Sequence, residues 1–179
     1  MVSRSINLSL LTYLKEIVLP YNSEMILHLF HDGKCLADVA YLKDAIEVCY
    51  GTYGLRVQDR GYLYVPIKGH QLDAAKLLRY LEIAANKRAS LWVIDGKIFY
   101  PGTGSVFGCS AEMCAVLSAA EMEPEILAKE ALHEVGHLLG LRHCSKRCVM
   151  NLSDTIEQAK EKPSFLCASC KERIGPQRI

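Results

Sequence analysis

The sequence has no surplus of charge of either sign. Its 179 residues include 21 lysines and arginines and 20 aspartates and glutamates, which gives a net charge of +1. A chain this balanced lacks the basic surface that holds nucleic acid or other polyanions, so we expect no nucleic-acid partner. Half of the residues are hydrophobic, which is enough for one domain or for a domain with a small appendage.

The sequence also lacks long apolar segments, repeats and low-complexity tracts. It has no apolar run near the roughly 20 residues that a membrane-spanning helix needs. The N-terminal segment contains Lys15 and Glu16 and has no small-residue cleavage site after it, so an amphipathic helix over about Leu8–Val18 fits better than a signal peptide. We therefore expect a cytoplasmic protein with no membrane partner. The oligomeric state is left open, with a monomer expected.

Cysteine, in contrast, is abundant, with eight residues. In a secreted protein this number predicts disulfides, but without a signal peptide metal binding or burial as free thiols fits better. Four cysteines are scattered in apolar surroundings and are interpreted as buried thiols: Cys35, Cys49, Cys109 and Cys114. A bond between Cys109 and Cys114, or a place in the cleft wall, is the alternative for that pair.

The most informative stretch is residues 133–143, which reads His-Glu-x-x-His-x-x-Gly-x-x-His. His133 and His137 are four residues apart, so on a helix they share a face, with β-carbons about 5–6 Å apart. A zinc ion with Zn–N bonds of about 2.0–2.1 Å spans that gap. Gly140 can adopt positive φ and end the helix, after which His143 can supply a third nitrogen. The open fourth position predicts a catalytic zinc site.

Glu134 is not needed as a ligand and projects beside the metal. There it can take a proton from a zinc-activated water and return it to the leaving amine, which predicts hydrolysis of peptide bonds in a peptide or protein substrate. Another class of His-Glu-x-x-His enzymes takes its third ligand from a downstream glutamate, here Glu157 or Glu161, but His143 is preferred. A non-hydrolytic zinc-stabilised adaptor and hydrolysis of a non-peptide amide are the rival functions.

Four cysteines follow the motif in two pairs: Cys144 and Cys148, then Cys167 and Cys170. Four thiolates can close a tetrahedral zinc site with no open position, which is typical of structural zinc. The tail after Met150 is polar, and a bound metal would hold it in place. The alternative is four reduced thiols without a metal.

The motif is the extended zinc-binding signature of the metzincin metallopeptidases. That clan also has a methionine in a tight turn below the metal, and Met150 lies seven residues after His143, which suits this role. An ordinary core methionine is the alternative. Some metzincins place a tyrosine two residues beyond that methionine, but Leu152 stands there, so this helper of the oxyanion is absent.

The motif followed by Cys144, then Cys148-Val149-Met150, then Cys-x-x-Cys resembles the archaemetzincins, zinc peptidases of archaea and some eukaryotes. Gly69-His70-Gln71 and Val106-Phe107-Gly108 are also similar to that family. The resemblance implies an α+β, metzincin-like fold with a twisted mixed sheet, two long helices above the cleft and a zinc-stapled C-terminal subdomain. It also implies two zinc ions, one catalytic and one structural. We therefore divide the chain into a catalytic subdomain, residues 1–140, and a C-terminal subdomain, residues 141–179.

Hydrophobic periodicity predicts the elements that surround the motif. Four helices are predicted besides the N-terminal one, beginning after Asp38 and covering about Gln71–Asn86, Pro124–Leu139 and Ser153–Glu161. Five strands are predicted: 25–30, 55–58, 91–95, 105–109 and 113–118. One of the last two is expected to form a sheet edge that holds an extended peptide through main-chain hydrogen bonds. The glycine-rich segment 100–104 has the wrong spacing for a phosphate loop.

Overall fold

The computed structural model describes residues 24–33, 38–67, 69 and 71–174. The helix predicted at Leu8–Val18, together with Cys35 and His70, lies outside these ranges. The helices of the described part are α1 (Val39–Tyr50), α2 (Ala74–Ala84), α3 (Pro124–Leu138), α4 (Ile156–Glu161) and α5 (Ala168–Arg173). Its strands are β1 (Met25–His31), β2 (Leu55–Tyr62), β3 (Leu72–Asp73), β4 (Ser90–Ile94), β5 (Ile98–Tyr100), β6 (Gly104–Val106), β7 (Gly108–Ala111) and β8 (Cys114–Ser118).

Five strands form a mixed sheet in the order β2-β1-β4-β8-β7. The first four are parallel to their neighbours, and β7 runs antiparallel to β8. A second sheet has the order β3-β5-β6. The predicted mixed sheet is confirmed, and so is the prediction that one of the two segments before the zinc helix forms an edge, because β7 is that edge strand.

Both faces of the large sheet are covered. β4 and β8 are buried at every residue, as expected for parallel strands between two layers. Along β4, Leu91 and Val93 pack into a core shared with α1 and α3, while Trp92 and Ile94 pack on the other side with α2. Because side chains alternate between the two faces of a strand, the sheet separates two hydrophobic cores. α3 lies on the same face of the sheet as α1.

The helix boundaries follow from local capping. Asp38 accepts a hydrogen bond from the Tyr41 amide at 3.0 Å and starts α1 as predicted. The helix predicted from Gln71 begins only at Ala74, because Leu72 and Asp73 pair with β5 and the Asp73 carboxylate caps the helix. α3 begins with Pro124 at its first position, which confirms that prediction.

The prediction of a single strand at residues 105–109 is wrong. The chain changes sheets at Phe107: β6 pairs with β5, whereas β7 pairs with β8. The sequence pattern could not show this, because β5 and β6 are three residues each and too short for a visible alternation.

The segment after Leu141 shares the core of the catalytic part. Val149, Met150, Leu166 and Ile174 pack in one cluster with residues of β1, α1 and α3. The predicted tail helix begins at Ile156 rather than Ser153, because Thr155 is its N-cap. α5, which the sequence analysis missed, follows. Among the described residues, the helices are all too short or too polar to cross a bilayer.

Candidate metal centre and cleft

One face of α3 carries the residues of the predicted active site. Glu130, His133, Glu134 and His137 follow the spacing that brings residues three and four apart to the same side of a helix. His133 and Glu134 are only 4% and 5% exposed. All four line a cleft of about 1020 Å³, so the helix presents its chemistry to this cleft.

The end of α3 turns the chain back toward the cleft, as the sequence predicted. Gly140 has φ of +81°, a conformation that glycine adopts without steric cost. Its amide donates to the His137 carbonyl at 2.9 Å, and the Leu141 amide donates to the Gly136 carbonyl at 2.9 Å. This pair of hydrogen bonds is a Schellman motif, and it places His143 opposite the two helical histidines.

The three histidines converge. Their ring centroids are 4.7, 5.2 and 4.9 Å apart, and one ligand atom from each lies within 4.8 Å of the others. Glu157 and Glu161 do not belong to this group, so among the described residues the side chain that lies with the two helical histidines is His143 and not a downstream glutamate.

Backbone carbonyls fix the tautomers of the helical histidines. Nδ1 of His133 is 3.0 Å from the Val149 carbonyl oxygen, and Nδ1 of His137 is 2.8 Å from that of Leu141. A carbonyl oxygen only accepts, so each Nδ1–H is the donor and each Nε2 keeps its lone pair. Because those two Nε2 atoms are 3.0 Å apart, two lone pairs face each other, an arrangement that a bound cation would stabilise.

Burial keeps the imidazoles of the two helical histidines, His133 and His137, neutral. Burial, with a smaller contribution from the Lys162 ammonium, lowers the pKa of His133 to about 3, and burial also lowers the pKa of His137. Only neutral imidazole binds a metal, so these residues are ready to act as ligands at neutral pH. The donor set of three imidazole nitrogens fits zinc with one position left for another ligand.

Glu134 lies between the metal ligands and the edge strand. Its Oε2 is buried and has no hydrogen-bond partner among the described residues. Burial raises the pKa of Glu134 to about 8, an effect that a hydrogen bond from Ser110 partly offsets. A β-carbon at Gly108 would come within 2.5 Å of Glu134 Oε1, so the close approach of β7 to this carboxylate requires glycine.

Met150 lies under the helix that carries the histidines. It is fully buried, and its sulfur packs against Gly136, where a β-carbon would collide with it. Beside it, the Tyr50 hydroxyl donates to the Leu132 carbonyl at 2.6 Å. The methionine is therefore part of the support of α3, at the place where the sequence predicted it.

The four cysteines of the tail also converge. Their sulfur atoms all lie within 4.8 Å of one another, and those of Cys144 and Cys167 are 3.8 Å apart. The Cys167 amide donates to the Cys148 sulfur at 3.3 Å, and hydrogen bonds, first from Ser169, lower the pKa of Cys167 to about 6. Four sulfurs in two pairs fit a closed tetrahedral zinc site.

The cleft is walled by elements from both sheets. Besides α3, it is lined by residues of β6 and the edge strand β7 and by residues 152–154 and 156. Leu152, which stands where some metzincins have a tyrosine, lines the cleft and is half exposed. An open strand edge that faces two candidate metal ligands and the Glu134 carboxylate is suited to bind a peptide in an extended conformation.

Comparison with known proteins gives the same assignment. Residues 117–176 match the model of peptidase family M54. The archaemetzincin of Saccharolobus solfataricus is 30% identical over 156 residues, which cover 73% of this chain and 84% of that protein. The archaemetzincin of Archaeoglobus fulgidus is 38% identical over 97 residues, and the match spans 49% of this chain and 60% of that protein.

The fold agrees as well. The crystal structure of archaemetzincin from Methanopyrus kandleri superposes with a TM-score of 0.76 at 26% identity, covering 88% of this chain and 97% of that one. The chain belongs to the archaemetzincin family. The α+β, metzincin-like fold expected from the sequence is thereby confirmed.

Several residues that shape this archaemetzincin site were missed in the sequence. Gly108 and Gly136 act through close contacts with residues far along the chain, and Tyr50 reaches the back of α3 from another helix. Glu130 lines the cleft and pairs with Lys162 at 2.7 Å. None of these has a spacing signature, although the glycine inside the His-Glu-x-Gly-His segment could have suggested a close approach.

The three other cysteines of the described ranges are free thiols, as predicted, but of these only Cys114 is fully buried, and Cys49 and Cys109 are half-buried. Cys49, Cys109 and Cys114 have no disulfide partner in the described part, and burial raises the pKa of each to about 11. Cys114 is buried, whereas Cys109 is half-buried and lines the cleft, which was the alternative interpretation for that residue.

Proposed function

We propose that the chain is a zinc-dependent metallopeptidase that hydrolyses peptide bonds. The observation that carries this proposal is the convergence of three histidines beside a buried carboxylate, in a cleft bounded by an open strand edge. Membership of the archaemetzincin family and the match to a peptidase family model support it. A structural or adaptor role would not need Glu134, which is no member of the ligand cluster.

Each residue then has a role. His133, His137 and His143 hold the metal, which when bound lowers the pKa of water and polarises a carbonyl oxygen. Glu134 accepts the proton of the attacking water and delivers it to the nitrogen of the leaving amine. β7 binds the substrate backbone in extended form through the hydrogen-bonding groups of its free edge. Met150 and Tyr50 hold α3 in place beneath these groups.

We further propose a second, structural zinc on Cys144, Cys148, Cys167 and Cys170, so that each chain holds two. The sulfur cluster supports this, and it would tie α5 to the segment that follows the last histidine. We also propose that the chain divides into a catalytic part, residues 1–140, and a C-terminal part, residues 141–179. A cytoplasmic location, a monomeric state and the absence of a nucleic-acid partner belong to the same proposal.

Metal analysis combined with a mixed peptide library tests the function. We expect about two zinc ions per chain, cleavage of library peptides, loss of cleavage with a chelator and recovery when zinc is restored. Cleavage that is unaffected by complete removal of zinc would contradict the proposal. A protein with two zinc ions that cleaves no peptide would support the adaptor, and activity on non-peptide amides alone would support the third function.

A further inference from the structure

The edge strand β7 turns alternate residues toward the active-site helix. Gly108 and Ser110 pair with Leu117 and Ala115 of β8, and both of these belong to the core on the side of α3. Cys109, which lies between them, packs with the core on the other side of the sheet. Directly opposite residues of two neighbouring strands share a face of the sheet, so Gly108 and Ser110 both face α3.

The Glu134 carboxyl group packs against this face of β7. A β-carbon at Gly108 would lie 2.5 Å from Glu134 Oε1, 2.7 Å from its Cγ and 2.8 Å from its Cδ. Two residues further along the same face, the Ser110 side chain is hydrogen-bonded to the Glu134 carboxyl group and lines the cleft. The strand therefore contacts the proposed general base at two successive positions of one face.

The two oxygens of this carboxyl group differ in their partners. Oε2 has no hydrogen-bond partner within the described ranges, so the hydrogen bond from Ser110 goes to Oε1, the oxygen that lies against Gly108. A carboxylate only accepts hydrogen bonds, so the hydroxyl is the donor. Ser110 thus holds one oxygen, and the other keeps its lone pairs for the proton of the attacking water.

The orientation of this carboxylate has a direct effect on proton transfer. A base must come within about 2.6–3.2 Å of the group whose proton it takes, and a misplacement of about 1 Å can cost about 10²-fold in rate. The helix fixes only the backbone of Glu134, whose side chain has several staggered rotamers. The contacts with β7 select one of them, and the hydrogen bond from Ser110 is the directional contact.

We propose that Ser110 is a positioning residue for the general base: its hydroxyl fixes the rotamer of Glu134, so that the strand that binds the substrate also orients the carboxylate. This inference rests on the proposed peptidase function and adds a residue to it. Ser110 acts through Glu134 and not on the substrate itself.

Three variants of Ser110 test the role of the hydroxyl. Ser110→Thr keeps it, Ser110→Val has nearly the shape of threonine without it, and Ser110→Ala removes it without added bulk. We expect kcat to fall by roughly 10- to 100-fold in Ser110→Ala and Ser110→Val, the range for a hydrogen bond to a charged group. Ser110→Thr should exceed Ser110→Val by about tenfold or more in kcat. Parent-like kcat in Ser110→Ala, or equal kcat in Ser110→Thr and Ser110→Val, would overturn the proposal.

The Michaelis constant separates this role from substrate binding. The substrate binds the main chain of β7, so KM should stay within about twofold of the parent value in all three variants. A rise in KM without a fall in kcat would place Ser110 in substrate binding and overturn the proposal. Ser105→Ala is the matched control, because Ser105 also lines the cleft but its hydroxyl accepts a hydrogen bond from Gln71 Nε2 at 3.4 Å. Its kcat should equal that of the parent, and a fall as large as that in Ser110→Ala would contradict the proposal.

A double-mutant cycle tests whether Ser110 acts through Glu134. In Glu134→Gln no base remains to be oriented, so the addition of Ser110→Ala should lower the residual turnover by less than about twofold. A structural role of Ser110 would lower turnover equally in both backgrounds, and that outcome would overturn the proposal.

Crystal structures of the parent and of Ser110→Ala give a readout that needs no turnover. We expect Ser110 Oγ about 2.5–3.0 Å from Glu134 Oε1 in the parent, and a different or divided conformation of the Glu134 side chain in the variant. An unchanged Glu134 conformation would contradict the positioning role even if the protein cleaves peptides. Failure of the parent to cleave any peptide, with the Glu134 conformation changed as expected, would contradict the peptidase function alone.

Discussion

The two clusters of candidate metal ligands in this chain differ in what surrounds them. The histidine cluster opens into the cleft, and its last member, His143, is exposed. In the cysteine cluster, Cys148 and Cys170 are buried in the main core and all four donors come from the protein. An ion among the histidines has a position left for chemistry, whereas an ion among the cysteines has none. The same metal would thus serve catalysis in one cluster and folding in the other, according to what occupies its fourth position.

The clusters also differ in how the chain builds them. Two histidines come from one turn of α3, a preformed helix held by Met150 and Tyr50, and their Nδ1 atoms are oriented by carbonyl groups. Two of the cysteines, Cys144 and Cys148, come from a loop, and the other two come from the start of α5, where Cys167 is the N-cap and Cys170 lies in the first turn. The two segments, 19 residues apart at Cys148 and Cys167, meet through an amide–sulfur hydrogen bond. We therefore expect the first site to tolerate loss of its ion and the second to lose its structure.

The largest effect should come from Glu134→Gln. The amide keeps the size of the side chain but cannot accept the proton, so kcat should fall by roughly 10²- to 10⁴-fold. Zinc content should stay at the parent value, because Glu134 is no member of the ligand cluster. Metal analysis together with peptide cleavage checks this, and parent-like turnover would show that another group acts as base.

Cys170→Ser should act on stability instead. Loss of one thiolate opens the closed site, and we expect one zinc ion per chain to be lost and the free energy of unfolding to fall by about 3 kcal/mol or more. The control is Cys114→Ala, which removes a thiol that is equally buried but lies outside the cluster. Urea unfolding compares the two, and equal destabilisation by both variants would argue against a metal at the cysteines.

Gly108→Ala should have an intermediate effect on the histidine site alone. The new methyl group would push the Glu134 carboxylate away from β7, and we expect kcat/KM to fall by roughly 10- to 100-fold with two zinc ions retained. Gly33→Ala is the control, since that glycine faces Tyr62 and lies outside the cleft lining. Full activity of Gly108→Ala would mean that the contact between β7 and Glu134 does not contribute to catalysis.

The smallest effect concerns the metal-free protein in acid. Burial lowers the pKa of His133 to about 3, while in the unfolded chain it is about 6.5. Between these values the unfolded state binds a proton that the folded state does not, so stability is lost as the pH falls below about 6.5. By pH 5 the loss from this residue is at most about 2 kcal/mol. Urea midpoints at pH 7.5 and 5.0 should shift less in His133→Gln, and an equal shift would contradict the prediction.

The sequence predicted those parts of the site that depend on local spacing. His133 and His137 share a face because they are four residues apart, Gly140 adopts the positive φ that ends the helix, and the Cys-x-x-Cys pair joins the second cluster. The helices α1 and α3 were predicted because the residues that cap them and the residues of their apolar faces lie within short segments of the sequence.

What the sequence could not give depends on residues far apart in the chain. Gly108 meets Glu134 from another element, and Glu130 finds Lys162 across the gap between α3 and the end of α4. Neither contact produces a periodic pattern in the sequence, because the partners are brought together only by the pairing of β7 with β8 and by the docking of the C-terminal tail. That docking is secured by Lys129, which donates to the Lys160 carbonyl at 2.8 Å.

One peptide bond joins the last histidine of the open site to the first cysteine of the closed one. His143 is followed directly by Cys144, and the carbonyl that orients His133 belongs to Val149, which follows Cys148. Two of the three imidazoles thus depend on backbone that the sulfur atoms hold. Oxidation of the thiolates, or loss of zinc from them, would therefore reduce hydrolysis. The activity of the protein would then depend on the redox state and the zinc supply of its surroundings.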